Sequence, residues 1–401
     1  PTAGTSNVRF GVNAGNSIAS GGNYNVVVGD EAGTAITTGD NNVAVGFEAL
    51  KTLSTSSQNT AVGHTALKFN TGANNTAFGY AALTANSTGT YNVALGRSAG
   101  ASVTTGIQNT LIGCLAGDAL TDADYNVALG YQALSGDTLG SRSIAIGRRA
   151  LATQNFTSAI NSYNLAIGYA AGEAITTGVQ NVIIGSDAGD ALTDADQNIA
   201  IGYAALSSDT LGSRSVAIGG NALIVQNFTT ATNVYNTAVG ANAGSAVTTG
   251  VSNTLIGGLA GDALTDADFN IAIGVNTLGQ ETLGSRSTAI GYSALFTQNN
   301  TSATDANNTA VGYVAGYGIT TGSDNTLMGV SAGASLTTGS NNLFLGHDAG
   351  ITGSPGGNHV SASSRIVLGD ENIAVANIQV DWTVASDARD KTDFTALDLG
   401  L

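Results

Sequence analysis

The stretch Asn308-Thr309-Ala310-Val311-Gly312-Tyr313-Val314-Ala315-Gly316 contains a pattern that recurs along almost the whole chain. With its central glycine counted as position 0, the pattern has Asn at −4, a β-branched residue at −3 and a small residue at −2. A large aliphatic residue follows at −1, and Ala stands at +3. Most of these anchor glycines follow one another at a constant interval, as Gly312, Gly329 and Gly346 do. A short fixed period predicts a solenoid, in which each repeat of about 17 residues forms one coil.

The residues that lead up to each anchor glycine favour β-structure. Positions −3 and −1 lie on one face of the pleat, and position −2 lies on the other. Both faces are apolar, one with large and one with small side chains such as Ala44 and Ala310. A strand of this kind is covered on both sides. We therefore predict an all-β, parallel β-solenoid, in which one face fills the coil's own core. The other face is expected to meet identical chains around a three-fold axis, where small residues permit close approach.

Three positions of the pattern are predicted to be structural. Stacked asparagines at −4 can form hydrogen-bonded ladders, and the anchor glycines suit turns with positive φ or close backbone approach. Alanine at +3 is the third recurring residue. In three representative coils these residues are Asn42, Gly46, Ala49, Asn126, Gly130, Ala133, Asn308, Gly312 and Ala315.

The period divides the chain into segments. Residues 1–24 are an N-terminal coil, 25–350 the solenoid shaft and 351–385 a connector. In the connector, Trp382 is expected to pack a neck or trimer core.

A longer period, here called the long repeat, begins at Ser143 and starts again at Ser215 and Ser287. Each copy of the long repeat enlarges one coil, as the wider spacing between Gly147 and Gly168 shows. Inserts at regular intervals map to loops on one face of a solenoid, and such a face is often used for binding. The three inserts are residues 152–163, 224–235 and 296–307. They contain Asn155, Asn227 and Asn300 in the Asn-x-Ser/Thr pattern, which matters only in a secreted eukaryotic protein.

The composition excludes several classes of function. The net charge is −16 with only 12 basic residues among 401, so nucleic acid is not an expected partner. No apolar run approaches the ~20 residues of a membrane-spanning helix. Cys114 is the single cysteine, and it is interpreted as a tolerated variant at a variable position and not as a nucleophile.

The repeats of residues 7–350 resemble those of bacteriophage tail fibres and, more distantly, the left-handed parallel β-roll heads of trimeric autotransporter adhesins. The resemblance implies a left-handed, homotrimeric fibre in the virion, outside the cell. It also implies contacts with other tail proteins and with a glycan or protein receptor on the host surface.

The segment Trp382-Thr383-Val384-Ala385-Ser386-Asp387-Ala388-Arg389-Asp390-Lys391 resembles the start of the self-cleaving intramolecular chaperone domain of tail fibres and tailspikes. The resemblance implies that Ser386 is the nucleophile and that Lys391 activates it, a role that a lysine of depressed pKa can fill. Only residues 386–401 of such a domain lie within this sequence. We therefore expect no self-cleavage by this chain.

Acidic turns recur with the long repeat, at 118–124, 190–196 and 262–268. A Ca²⁺ site would use several such oxygens. The turns lack the spacing of an EF-hand loop, and the favoured interpretation of Asp118 to Asp124 is a solvated turn that needs no metal. No other cofactor is expected.

Aromatic residues recur at position +1, just past each strand. As a row they could stack on sugar rings, but surface or interface packing is the favoured interpretation. His64 and His347 share this position and His359 follows in the connector; none of the three is expected to have partners at metal-ligand spacing. The residues at +1 with aromatic rings include Phe47, Tyr80, Tyr131, Tyr169, Tyr203, Tyr292 and Tyr313.

These observations favour a non-enzymatic fibre that mediates attachment to a host cell. The first alternative is a cellular surface adhesin of the trimeric autotransporter kind. The second is a polysaccharide depolymerase, which would need paired carboxylates at a groove. The acidic residues repeat evenly and offer no unique pair, so enzymatic activity is not expected.

Overall fold

The computed structural model describes residues 4–375, which form a parallel β-solenoid of the predicted kind. One strand from each coil joins a single sheet of 21 strands, and three separate pairs of very short strands lie beside it. At the usual strand spacing of ~4.8 Å, 21 rungs make a rod of about 100 Å. No helix occurs between residues 4 and 375.

Each strand of the large sheet is three residues long and ends at the residue before an anchor glycine. The strands of this sheet are β1 (Val8–Phe10), β2 (Val26–Val28), β3 (Val43–Val45), β4 (Thr60–Val62), β5 (Thr76–Phe78), β6 (Val93–Leu95), β7 (Thr110–Ile112), β8 (Val127–Leu129), β10 (Ile144–Ile146), β12 (Leu165–Ile167), β13 (Val182–Ile184), β14 (Ile199–Ile201), β16 (Val216–Ile218), β18 (Thr237–Val239), β19 (Thr254–Ile256), β20 (Ile271–Ile273), β22 (Thr288–Ile290), β24 (Thr309–Val311), β25 (Thr326–Met328), β26 (Leu343–Leu345) and β27 (Ile366–Leu368). The short pairs are β9 (Gly140–Ser141) with β11 (Ile160–Asn161), β15 (Gly212–Ser213) with β17 (Thr232–Asn233), and β21 (Gly284–Ser285) with β23 (Thr304–Asp305).

The register is the same at every rung, so equivalent positions of successive coils lie above one another. Ala310 of β24, for example, pairs with Ala289 of β22 on one side and with Leu327 of β25 on the other. Strand β27 continues the sheet into the segment 351–385 by pairing with β26. Any residue type that recurs at one position therefore forms a row along the rod.

The core is narrow. Each coil contributes the central residue of its strand, at −2, together with one small and one large side chain. Alanine at +3 is fully buried, as at Ala49, Ala133 and Ala315. The large side chain comes from +4 or from +7. Among the coils before Gly346, those with Gly at +4 have an apolar residue at +7, and nearly all of those with Leu at +4 have a polar residue there. A Cβ on Gly172 would lie 3.0 Å from Ile175, so one large group fills this space from either position.

The two faces of the strand have the opposite orientation to the one expected from the sequence. The small residue at −2 is fully buried in the coil's own core, as Ala44, Ala200 and Ala310 are, whereas the larger residues at −3 and −1 face outward. The expectation that small residues line contacts between chains is wrong. Equivalent residues such as Asn25 and Asn42 are only 17 residues apart, and so short a coil encloses little volume. Its inner strand face therefore accommodates mostly alanine.

The anchor glycines are required for two separate reasons. Gly312 has φ +143°, a conformation that is essentially restricted to glycine. A Cβ at this position would also lie against the carbonyl group of Gly329 in the next coil, 2.6 Å from its carbon. The row of anchor glycines is thus a place where successive backbones approach closely.

Candidate binding surfaces

The asparagine ladder predicted at position −4 is present in the interior. Oδ1 of Asn25 accepts a hydrogen bond from the backbone N–H of Asn42 at 2.9 Å and another from its Nδ2 at 3.1 Å. Asn126 and Asn308 occupy the same position, where each Nδ2 donates to a backbone carbonyl 14 residues further on, at 2.9 and 2.7 Å. These buried amides satisfy corner peptide groups that no neighbouring strand can reach. Their role is structural.

Where serine replaces asparagine at position −4, a glutamine at position +7 of the same coil completes the ladder. Ser143 cannot extend an amide to the next coil, and Gln154 takes over that contact from position +7. Gln154 donates from Nε2 to Ser143 Oγ at 2.9 Å, and its Oε1 accepts from Asn164 Nδ2 at 2.9 Å. Gln226 and Gln298 do the same in the two later copies of the long repeat.

A buried carboxylate lies beside each of these glutamines. Asp137, Asp209 and Glu281 are fully buried and accept hydrogen bonds from the glutamine Nε2 and from backbone N–H groups. Burial raises the pKa of Asp209, against the hydrogen bonds that lower it. Each carboxylate also accepts a backbone N–H from inside the following insert and so ties that insert to the coil before it.

The inserts are anchored segments rather than free loops. Phe156 and Phe228 pack their rings into the rod, and β11, β17 and β23 each pair with the coil before them. Beside the first insert, an open cleft of about 270 Å³ is lined by Asp122, Asp124, Ser141, Ala159, Ile160 and Asn161. The inserts therefore present fixed, polar edges at equal intervals.

The outer face of the 21-stranded sheet is a long apolar surface. Its side chains are mainly the Val, Ile, Leu and Thr residues at −3 and −1, which are half-buried or exposed. Leu95, for example, is 46% exposed. Monomeric soluble proteins rarely expose a contiguous apolar patch of this length.

Two rows of aromatic and arginine side chains flank that face. At +1, the rings of Tyr292 and Tyr313 stack with centroids 5.4 Å apart and planes 12° apart. His64 stacks on Tyr80 in the same way, at 5.2 Å. Rings stacked in this manner cover one another's faces, and a sugar would need those faces to be free. This geometry fits the packing interpretation of these rings.

The second row, at position −5, was not recognised from the sequence. Arg142, Arg214 and Arg286 lie over the rings of Tyr125, Tyr235 and Phe269, at 4.8, 5.6 and 5.9 Å from the centroids. Arg142 also donates from Nε to Asn161 Oδ1 of the first insert at 3.1 Å. The sequence does carry a signal for this row, because a Gly-Ser-Arg-Ser stretch ends on the first residue of each copy of the long repeat.

The acidic turns bind to neighbouring coils. Asp124 Oδ1 accepts a hydrogen bond from the backbone N–H of Ile107 at 2.7 Å, and Asp122 accepts one from the Thr105 hydroxyl. Between residues 4 and 375, these turns do not bring three carboxylates together. Asp118 differs from both, because burial raises its pKa and its Oδ1 has no hydrogen-bond partner.

One histidine does have metal-ligand neighbours, contrary to the sequence-based expectation. His347 Nδ1 lies 3.4 Å from Asp348 Oδ2 and 3.3 Å from Asp370 Oδ2. The expectation was wrong because Asp370 is 23 residues away in sequence and follows an enlarged coil.

The chaperone-like residues Ser386 and Lys391, together with Trp382, lie outside the described residues. In the described range 4–375, no helix has the length and apolar character needed to cross a membrane. No protein-family model matches the chain, and a search of curated proteins finds no match.

Proposed function

We propose that this chain forms the shaft of a homotrimeric fibre that attaches a bacteriophage to its host cell. The observation that carries the proposal is the outer face of the 21-stranded sheet, whose apolar rows residues 4–375 leave uncovered. The resemblance of the repeats to tail-fibre repeats supports the phage assignment and the number three. The fibre would be located in the virion tail, outside the cell, and joined to other tail proteins.

The dimensions of the outer face suit an interface between chains. A three-residue strand is about 10 Å long, and 21 rungs extend over about 100 Å, which gives a surface of about 1,000 Å² per chain. A stable protein interface buries about 800 Å² on each partner. The outward Val, Ile and Leu side chains would then form the shared core of the fibre.

The host contact is assigned to the three inserts. They interrupt an otherwise uniform surface, and their edges combine Asn161, Asn233 and Asp305 with the arginine row at −5. Amide, carboxylate and guanidinium groups are suited to the hydroxyls of a surface glycan or to polar groups of a protein receptor. Three equal inserts on each chain would also bind a repetitive surface with avidity.

Binding to bacterial envelopes tests this assignment. The purified chain is presented to immobilised lipopolysaccharide, capsular polysaccharide and outer-membrane protein from a panel of isolates. We expect binding to at least one of these, with at least tenfold loss when Asn161, Asn233 and Asp305 are all changed to Ala. Thr321→Ala, at an exposed position between β24 and β25, should bind as the wild type does.

The same incubation separates a binding fibre from an enzyme. A shaft without catalytic function should release no oligosaccharide from the polysaccharide samples. Binding that is unchanged by the triple substitution would contradict the insert assignment, and released oligosaccharide would favour a depolymerase.

A further inference from the structure

We propose that His347, Asp348 and Asp370 form a binding site for a divalent transition-metal ion, with Zn²⁺ as the representative ion. Within the described range, this is the group of three potential metal-ligating side chains whose ligand atoms converge, all within 4.8 Å of one another. The proposed site lies where the last two described coils meet.

The backbone brings these residues together. His347 and Asp370 each follow an anchor glycine, Gly346 and Gly369, and the strands before them pair in register, Leu345 with Leu368. The two side chains therefore occupy the same position on adjacent rungs. Asp348 is the next residue of the first coil. Their proximity is set by the sheet and does not depend on a flexible loop.

Asp370 is held in the orientation of a ligand. Asp370 is only 8% exposed. The backbone N–H of Asn372 donates to Oδ1 at 2.9 Å, and the Asn372 side chain donates to Oδ2 at 3.1 Å. Outer hydrogen bonds of this kind orient carboxylate ligands and are a regular part of metal sites. Oδ2 is also the oxygen that lies next to His347.

The distances suit a metal ion between the three groups. Two ligand atoms bound to Zn²⁺ at about 2.0–2.1 Å in tetrahedral geometry are about 3.3 Å apart. His347 Nδ1 is 3.3 Å from the Asp370 oxygen and 3.4 Å from the Asp348 oxygen. The side chain of His347 is 63% exposed, which leaves room for water to complete the coordination.

The chemistry of the three ligands selects the class of ion. Two carboxylates carry the charge needed to neutralise a divalent cation. An imidazole nitrogen favours Zn²⁺ and similar transition metals over Mg²⁺ and Ca²⁺, which prefer oxygen ligands only. A bound ion would join two coils across the enlarged step between Gly346 and Gly369, the widest interval between successive anchor glycines.

Isothermal titration of the chelator-treated 401-residue chain with ZnCl₂ tests the proposal. We expect one Zn²⁺ per chain with micromolar or tighter affinity, and at least tenfold weaker binding by His347→Ala and by Asp370→Asn. The chain has three histidines, which makes His64→Ala and His359→Gln matched controls that should bind as the wild type does. CaCl₂ should bind at least tenfold more weakly than ZnCl₂.

Thermal melting gives a second measurement that does not depend on the titration. Zn²⁺ should raise the melting temperature of the wild type and of His64→Ala but not that of His347→Ala. The proposal is overturned if titration of the wild type with millimolar ZnCl₂ shows no binding. It is equally overturned if His347→Ala and Asp370→Asn, folded by circular dichroism, bind as tightly as the wild type.

Discussion

Gln226 donates a hydrogen bond from Nε2 to the Asp209 carboxylate over 2.6 Å in the interior of the rod. The same nitrogen donates to Ser215 Oγ at 3.0 Å, and the amide oxygen accepts from Asn236 Nδ2 at 2.8 Å. One side chain thus joins buried polar groups of three consecutive coils. The interior of this solenoid depends on polar complementarity as well as on apolar packing.

Replacing Gln226 with leucine should be strongly destabilising. The change removes the Gln226 hydrogen bond from each of Asp209, Ser215 and Asn236 in the buried interior, at an expected cost of about 2–4 kcal/mol. Urea-induced unfolding measures the loss. Gln280→Leu is the control, since Gln280 is exposed and should change stability by less than about 0.5 kcal/mol. Equal stability of the two variants would contradict the proposed role of the glutamine.

The ladder itself can be tested at Asn253. Its Oδ1 accepts from the backbone N–H of Asn270 at 2.9 Å, and its Nδ2 donates to the carbonyl of Ala267 at 2.7 Å. Asn253→Ala leaves both peptide groups buried and unpaired, which we expect to cost about 2–4 kcal/mol. Asn161→Ala, at an exposed insert position, should cost less than about 0.5 kcal/mol. If Asn253→Ala leaves stability unchanged, water must take over the hydrogen bonds that the Asn253 side chain makes.

The anchor glycines allow a comparison within one residue type. Gly312→Ala places a Cβ against the carbonyl of Gly329 at φ +143° and should cost about 3 kcal/mol or more. A Cβ at Gly220 meets no atom within 4 Å, and that glycine does not have positive φ. Gly220→Ala should therefore be neutral within about 0.5 kcal/mol. Similar melting temperatures for the two variants would refute the close approach of successive backbones.

Stability should respond to pH through Asp190. Burial raises the pKa of Asp190 above its usual value of 3.8, and the nearby Asp187 and Glu173 carboxylates raise it further. Because the folded-state pKa is the higher one, the protonated form is favoured by folding. The stabilisation is complete below about pH 3.8 and is lost as the pH rises through the folded-state pKa.

Asp190→Asn should accordingly raise the melting temperature at pH 7 and leave it unchanged near pH 3. Asp194→Asn, on the exposed part of the same turn, is the control and should show no gain at pH 7. A gain for Asp190→Asn that is equally large at both pH values would show that the charge of Asp190 is not its cause.

The repeat pattern predicted the fold because it repeats a local requirement at every rung. The Asn at −4, the glycine at 0 and the alternation between them determine the strand, the turn and the register. Asn42 makes the expected ladder contact, and Gly46 has the expected positive φ. The orientation of the strand was not predictable from alternation alone. Both faces are apolar, and only the small volume of the coil determines that Ala44 faces inward.

Contacts between distant positions could not be predicted in the same way. The partnership of Ser143 with Gln154 requires knowing that −4 and +7 of one coil face each other. The cluster of His347 and Asp370 depends on how the enlarged coil 346–369 resumes the register. The recurring Gly-Ser-Arg-Ser stretches were visible, but their contact with the inserts follows from the pairing of β9 with β11.

Sedimentation velocity of the 401-residue chain tests the central claim that the outer sheet face is covered by other copies. We predict an elongated particle with three times the chain mass of 39.6 kDa. Val311→Glu, on the outer face, should dissociate it, whereas Thr321→Glu, at an exposed position between β24 and β25, should not. A wild-type particle of 39.6 kDa at micromolar concentration would contradict the account.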